Sequence, residues 1–210
     1  MFEQGPNNII HPTAIIDSTV KIGGNNTIGP YCVIGPNVEI GDCNHIVSHV
    51  SIGAPAQHRE TFRDTSTVVI GCDNVIREFV TIHASTTGHT RVGSGCYLMA
   101  CSHVSHDTVL EDGVTLANNV LLGGKSYVMK GANLGLGAVV HQRSCIGSWS
   151  MLGMGCVITK SMGVLPGYIY VGNPSRQLKK NTVGLERAGV VDTRDEVQRW
   201  TQLRYQLGMS

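Results

Sequence analysis

Residues 104–122 read Val104-Ser105-His106-Asp107-Thr108-Val109-Leu110-Glu111-Asp112-Gly113-Val114-Thr115-Leu116-Ala117-Asn118-Asn119-Val120-Leu121-Leu122, with an aliphatic residue at every sixth position. The period extends upstream through Leu98 to Val92 and downstream through Val128, Leu134, Val140, Ile146, Leu152, Ile158 and Val164 to Tyr170. The same spacing joins Ile10, Ile16, Ile22, Ile28, Ile34, Ile40, Ile46 and Ile52, and then Ile70, Ile76 and Ile82. A helix repeats every 3.6 residues and a half-buried strand every two, so neither explains a period of six. A hexad fits one short strand plus one turn, and three hexads make one triangular coil of a parallel β-helix. Some 25 hexads give about eight coils, a prism roughly 40 Å long at about 4.8 Å per coil. Gly follows many of the aliphatic residues, as at Gly29, Gly41, Gly93 and Gly123. It is expected to accept the turn geometry and leave the corner uncluttered. Cys32, Cys96 and Cys156 fall in the small inward slot of the repeat, a packing role rather than a redox one.

Composition agrees. The 210 residues include 24 Val and 16 Ile against 13 Leu, with 26 Gly and 5% aromatics. That balance favours strands and turns over helices. Charged residues are 15% and the net charge is +1. No basic field therefore points to nucleic acid or an anionic membrane. The first residues carry neither a basic nor an apolar leader region, so no signal peptide is expected. No apolar run approaches the length of a bilayer span, so no transmembrane segment is expected. Seven Cys without a C-x-x-C pair suggest reduced thiols and a cytoplasmic location.

Two interruptions break the repeat. Ile52 and Ile70 are separated by three hexads' worth of chain, with His58 and Asp64 in place of aliphatics, which suggests an excursion over 54–68 replacing most of a coil. Ile82 and Val92 are ten apart, so residues 83–91 form a loop inserted at a corner, where function often sits. The repeat stops after Gly172-Asn173-Pro174, giving a β-helix over 1–174 and a short helical tail over 175–210. Val197, Trp200, Leu203 and Leu207 space a helix from about Arg194 to Leu207, its apolar stripe facing either the prism or a partner subunit.

Residues three hexads apart stack in such a coil. Ser105-His106-Asp107, Gly123-Gly124-Lys125 and His141-Gln142-Arg143 therefore share one corner, with His83 a coil below and His103 nearby. His106 is a candidate general base near neutral pH, Asp107 its orienter, and Gly124 an unobstructed backbone N–H for an oxyanion. The other His spacings suit a zinc site poorly, and no metal is expected.

These segments resemble the UDP-N-acetylglucosamine acyltransferases of lipid A biosynthesis. The likeness runs over about residues 9–190 through His11-Pro12-Thr13-Ala14-Ile15, Ile76-Arg77-Glu78, Thr81-Ile82-His83, His103-Val104-Ser105-His106-Asp107, Leu116-Ala117-Asn118-Asn119, Val140-His141-Gln142 and Gly184-Leu185. The resemblance implies a left-handed helix, a homotrimer, and transfer of a 3-hydroxyacyl group from acyl carrier protein to a sugar hydroxyl of a nucleotide sugar, with no cofactor. It assigns His106 as the base, Asp107 as its neighbour and Gly124 as the oxyanion donor. His83, His103, His141 and Gln142 match positions lining the substrate site, and Asn181 and Arg187 match nucleotide contacts. Met154 stands where the family's Gly lets long acyl chains pass. The chain departs from the family at His58, Glu60, Lys125, Val183 and Ala188. A coenzyme A-dependent nucleotide-sugar acyltransferase, sharing Gly172-Asn173-Pro174-Ser175, is the alternative, and a non-catalytic scaffold paralogue is a third reading.

Overall fold

Most strands are two residues long because the turn takes up the rest of each hexad. Above the first coil the second residue of each pair, such as Ile28, Ile46, Leu98 or Leu116, points inward and is buried. The computed structural model describes residues 2–59, 67–160 and 162–208. Its strands form three faces of eight, ten and eight strands. Every strand pair is parallel except the last on the ten-stranded face. The first face starts at Glu3–Gln4, the second at Ile9–Ile10 and the third at Ile15–Ile16, and each continues with the strand one coil later. Ile22 over Ile40 and Leu110 over Val128 are typical rungs, one coil apart. Val164 bridges Ile146 on the first face and Ile169 pairs Met151 on the second, so a ninth coil begins above eight complete ones. The buried aliphatic column forms one continuous core inside the prism.

The corners repeat one conformation. The third residue after the inward aliphatic is left-handed in coil after coil, for example Asn25, Tyr31, Lys125 and Arg143 at φ 58–59° and Asp107 at φ 56°. The glycine immediately after the aliphatic has another cause. A Cβ on Gly29 would fall onto the carbonyl oxygen of Val47 in the next coil. These glycines permit coils to stack closely, while the turn conformation belongs to the residue two places on.

One edge carries a side-chain ladder. Asn8 accepts from the Asn26 backbone N–H, Asn26 from Asn44, Asn44 from Asn74 and Asn74 from Cys96, at 2.7–3.0 Å. Asn26, Asn44 and Asn74 are buried, and their bonds satisfy polar groups that would otherwise be costly inside.

The first interruption differs from expectation. Ile70 pairs with Ile40 and Ile82 with Ile52, each five hexads along rather than three. Two hexads are thus added between the third and first faces, and no coil is replaced. Glu60 and Asp64 lie outside the described residues. The second interruption adds four residues, since Val92 pairs with Ile70. Both leave from the edge between the third and first faces.

The tail begins with a strand rather than a helix. Arg176–Lys180 pairs antiparallel with Tyr168–Val171. Helix α1 (Thr182–Arg187) and helix α2 (Arg194–Gln206) follow. Trp200 of α2 packs on Met129 and Cys145 of the first face, and Glu111 holds Arg199, so the α2 stripe faces the prism. Among the described residues, no helix is long and apolar enough to cross a membrane.

Candidate active site

The edge between the third and first faces brings His106, Asp107, Gly124, His83 and His103 together. His103 projects outward from the strand His103–Val104, and His106 and Asp107 follow it round the corner. His106 is only 7% exposed, and its Nδ1 lies 2.9 Å from Asp107 Oδ2. Burial raises the Asp107 carboxyl, but hydrogen bonds from the Thr86 hydroxyl, His106, and the Thr87 and Thr86 amides outweigh it and hold the group below its ordinary value. An ionised carboxylate only accepts, so Nδ1 carries the proton of the pair and Nε2 is turned toward Gly124.

Gly124 lies one coil above. A Cβ there would come within 2.5 Å of His106 Cε1 and Nε2, so only glycine leaves the imidazole its place. Its N–H donates to no group among the described residues. A reacting oxygen at this opening would meet a base and a backbone donor, the two elements acyl transfer needs.

Below His106, the His83 and His103 rings meet edge to face at 4.9 Å. Burial, then His106, lowers the His83 pKa. Burial, then His83 and His106, pushes His103 down to about 4. His103 Nδ1 pairs with Thr81 Oγ1 at 2.7 Å. These imidazoles are neutral at pH 7 and place no further positive charge beside His106. The sign for stability follows from the lowered value. The unfolded chain protonates His103 first, so its contribution is complete above about pH 6.5 and declines as pH falls toward the folded value near 4. Asp107 loses its contribution lower still, through a folded value under the ordinary carboxylate one. His103→Gln is therefore expected to lessen the fall in Tm between about pH 6.5 and about pH 4.5, read by thermal melts; an equal fall would contradict this.

The other sequence-predicted residues divide between this edge and two other places. His141 and Gln142 lie on the same edge above Gly124, His141 bonded to the Gln142 carbonyl at 2.9 Å and Gln142 exposed. Asn181 caps α1, accepting from Gly184 N–H at 3.2 Å and donating to the Trp149 carbonyl at 2.8 Å. With Arg187, Lys179 and Lys180 it lines a cavity of about 570 Å³ beside Trp149 and Asn133, away from the His106 edge. Met154, 76% exposed, sits on the edge between the second and third faces. Thus one chain does not join Met154 or Asn181 to His106. Sequence reasoning missed Thr86 and Thr90, which hold Asp107, and the approach of the His58 ring to within 5.6 Å of the His106 ring. Their signal was the inserted loops themselves, whose conformations follow no period. Among the described residues, no group of three or more His, Cys, Asp or Glu is arranged to hold a metal ion.

Residues 19–54 match the bacterial transferase hexapeptide family (six repeats). A relative from Syntrophobacter fumaroxidans, named as an acyl-acyl-carrier-protein:UDP-N-acetylglucosamine O-acyltransferase, is 40% identical over 201 residues, covering 85% of this chain and 77% of its own. The chain belongs to the UDP-N-acetylglucosamine O-acyltransferase family. A second relative with the same name, from Alkalilimnicola ehrlichii, is 39% identical over 142 residues, 66% of this chain and 54% of its own. The chain thus spans about half the length of the first curated UDP-N-acetylglucosamine O-acyltransferases it matches. The crystal structure of LpxA, a UDP-N-acetylglucosamine acyltransferase from Bacteroides fragilis, aligns at a TM-score of 0.86 and 32% identity, over 91% of this chain and 75% of that one.

Proposed function

We propose that this chain transfers an acyl group, of the 3-hydroxyacyl kind, from an acyl carrier protein thioester to a sugar hydroxyl of a UDP-N-acetylglucosamine-like nucleotide sugar. The observation that carries the reading is the His106–Asp107 pair facing the open position of Gly124. In the reaction, His106 Nε2 takes the proton of the sugar hydroxyl as its oxygen attacks the thioester carbonyl carbon. The Gly124 N–H steadies the negative charge that develops on the carbonyl oxygen. Collapse of the tetrahedral intermediate breaks the carbon–sulfur bond, and the imidazolium returns its proton to the leaving thiolate. His83, His103, His141 and Gln142 line the acceptor side. The reading needs no cofactor or metal, and it puts the work in the cytoplasm.

A convex edge buries no substrate, so a second wall is required. A homotrimer supplies it, joining the His106 edge of one copy to the Met154 edge or the α1 cavity of another. Ile15, Val33, Leu121 and Val139, all 38–67% exposed on the third face, support such a neighbour. Transfer assays with acyl carrier protein and coenzyme A thioesters, run with a chelator and coupled to light scattering, test the proposal. Turnover of acyl carrier protein thioesters by a trimer is expected. Turnover with coenzyme A donors alone would redirect the reading to the alternative donor.

Met154 is expected to limit acyl length. A thioether across the groove shortens it by several methylenes, each worth about 0.8 kcal/mol when buried. The preferred chain should be about ten carbons or fewer, a steric expectation of the kind that governs pocket discrimination. Met154→Gly should shift the kcat/KM optimum to longer donors; an unchanged optimum would remove Met154 from that role.

A further inference from the structure

The four added residues of the second interruption do more than bulge from the edge. The step from Ile70 to Val92 is longer by those four than the regular step from Val92 to Leu110. The extra length folds back under the next corner and surrounds the Asp107 carboxylate. Oδ1 accepts from the Thr86 N–H at 2.9 Å and the Thr87 N–H at 3.2 Å. Oδ2 accepts from the Thr86 hydroxyl at 2.6 Å and faces His106 Nδ1. The Asp107 N–H donates to Thr90 Oγ1 at 2.8 Å, closing the contact from the other end of the loop.

The loop is itself fixed before it touches Asp107. Ala84 N–H donates to the Ala54 carbonyl at 2.8 Å, and Thr67 N–H to Ser85 Oγ at 3.1 Å. Ser85 Oγ and Thr67 Oγ1 both donate to the Gly88 carbonyl. Ser85, Thr86 and Thr90 are each at most 5% exposed. Three donors are thus held at set positions by groups from lower in the prism, so the carboxylate meets a preformed cradle.

Corner geometry does not demand this arrangement. Lys125 and Arg143 make the same left-handed turn one and two coils above, at φ 59°, with no carboxylate of their own and no inserted loop at their corners. The feature that separates the His106 corner from those two is the imidazole beside the carboxylate. A carboxylate with two bound amides and one bound hydroxyl has one remaining in-plane direction for an acceptor bond, and His106 Nδ1–H occupies it.

We propose that Thr86 is a positioning residue for acyl transfer: its hydroxyl and the Thr86 and Thr87 amides hold the Asp107 carboxylate so that His106 keeps its proton on Nδ1 and presents a free Nε2 beside Gly124. The inference rests on His106 being the base. Misplacing the orienter of a catalytic histidine lowers turnover chiefly through the wrong tautomer. Thr86 is only 5% exposed and its hydroxyl is taken by Asp107, so its removal is expected to act on kcat and leave KM nearly unchanged.

The test compares Thr86→Val, Thr86→Ser and His106→Ala in two measurements. One is transfer from a 3-hydroxyacyl-acyl carrier protein to UDP-N-acetylglucosamine. The other is the ring-nitrogen NMR spectrum of ¹⁵N-histidine-labelled free protein, which reports the His106 tautomer without substrate. Thr86→Val is expected to lose about 10-fold in kcat, the scale seen for outer-shell hydrogen bonds, with KM within twofold. Its His106 should change from Nδ1–H to a mixture of tautomers. Thr86→Ser, which keeps the hydroxyl, should restore both within twofold. A Thr86→Val protein with parental kcat and the parental tautomer overturns the proposal, whether or not its Tm has fallen. Should His106→Ala retain transfer activity, the base assignment fails instead, and the tautomer measurement still decides whether Thr86 positions the pair.

Discussion

His106→Ala is expected to lose at least about 10²-fold in kcat/KM, the usual share of a general base. It should melt within a few degrees of the parent. The side chain is buried, yet it lies outside the aliphatic column, and Asp107 is the hydrogen-bond partner of its ring. Removing it leaves the Asp107 carboxylate still bound by Thr86 and Thr87, so no buried charge is stranded. The effect should therefore appear in the rate and hardly in the fold. Steady-state kinetics with a melting curve on the same preparation checks both halves. Activity within tenfold of the parent would remove His106 from the base role.

The largest expected effect on stability is at a residue with no chemistry. In Gly29→Ala the new methyl would fall on the Val47 carbonyl oxygen. That oxygen belongs to the backbone of the next coil, which cannot retreat without lengthening the rung between Gly29 N–H and the Ile46 carbonyl, now 2.8 Å. Overpacking against backbone should cost about 3 kcal/mol. Gly95→Ala is the comparison. It meets nothing within 4 Å but stands at φ 64°. Only the left-handed conformation opposes it, at roughly 1–2 kcal/mol. Denaturant unfolding of the two variants should rank Gly29→Ala well below Gly95→Ala. The reverse order would mean that turn conformation, rather than coil spacing, makes the larger demand for glycine in this fold.

That distinction marks where the sequence is legible and where it is not. The column of Ile, Val and Leu can be read because burial inside a prism repeats every six residues along the strands. The stacking of His106 with Gly124 can be read for the same reason, since a fixed coil length turns spacing into proximity. The role of Gly29 cannot, because sequence shows that a side chain is missing without showing what stands in its place. The first interruption misleads because any whole number of hexads preserves the phase, whether the chain forms a coil or leaves the prism altogether. The strand Arg176–Lys180 is invisible: it is exposed at every position and shows no alternation. It forms because the parallel face ends there with unpaired backbone groups. Thr86 and Thr90 are legible as members of a loop, but their grip on Asp107 depends on how that loop folds back, which no periodicity encodes.

The asparagine ladder has a consequence for how such a chain finds a single structure. Coils built from near-identical hexads could stack one place too high or too low, each wrong pairing burying almost the same aliphatic surface. The ladder breaks that degeneracy. Asn8, Asn26 and Asn44 climb in regular steps of one coil, the next step to Asn74 is lengthened by the first insertion, and the last to Cys96 by the second. A chain slipped by one coil would break one or more of the amide-to-amide bonds in this column, at 2.9–3.2 Å, and leave a buried Nδ2 without its acceptor, which costs more than a rearranged methyl. The ladder works as an address, admitting each lower coil at one height alone, and the aliphatic column above it inherits that registration.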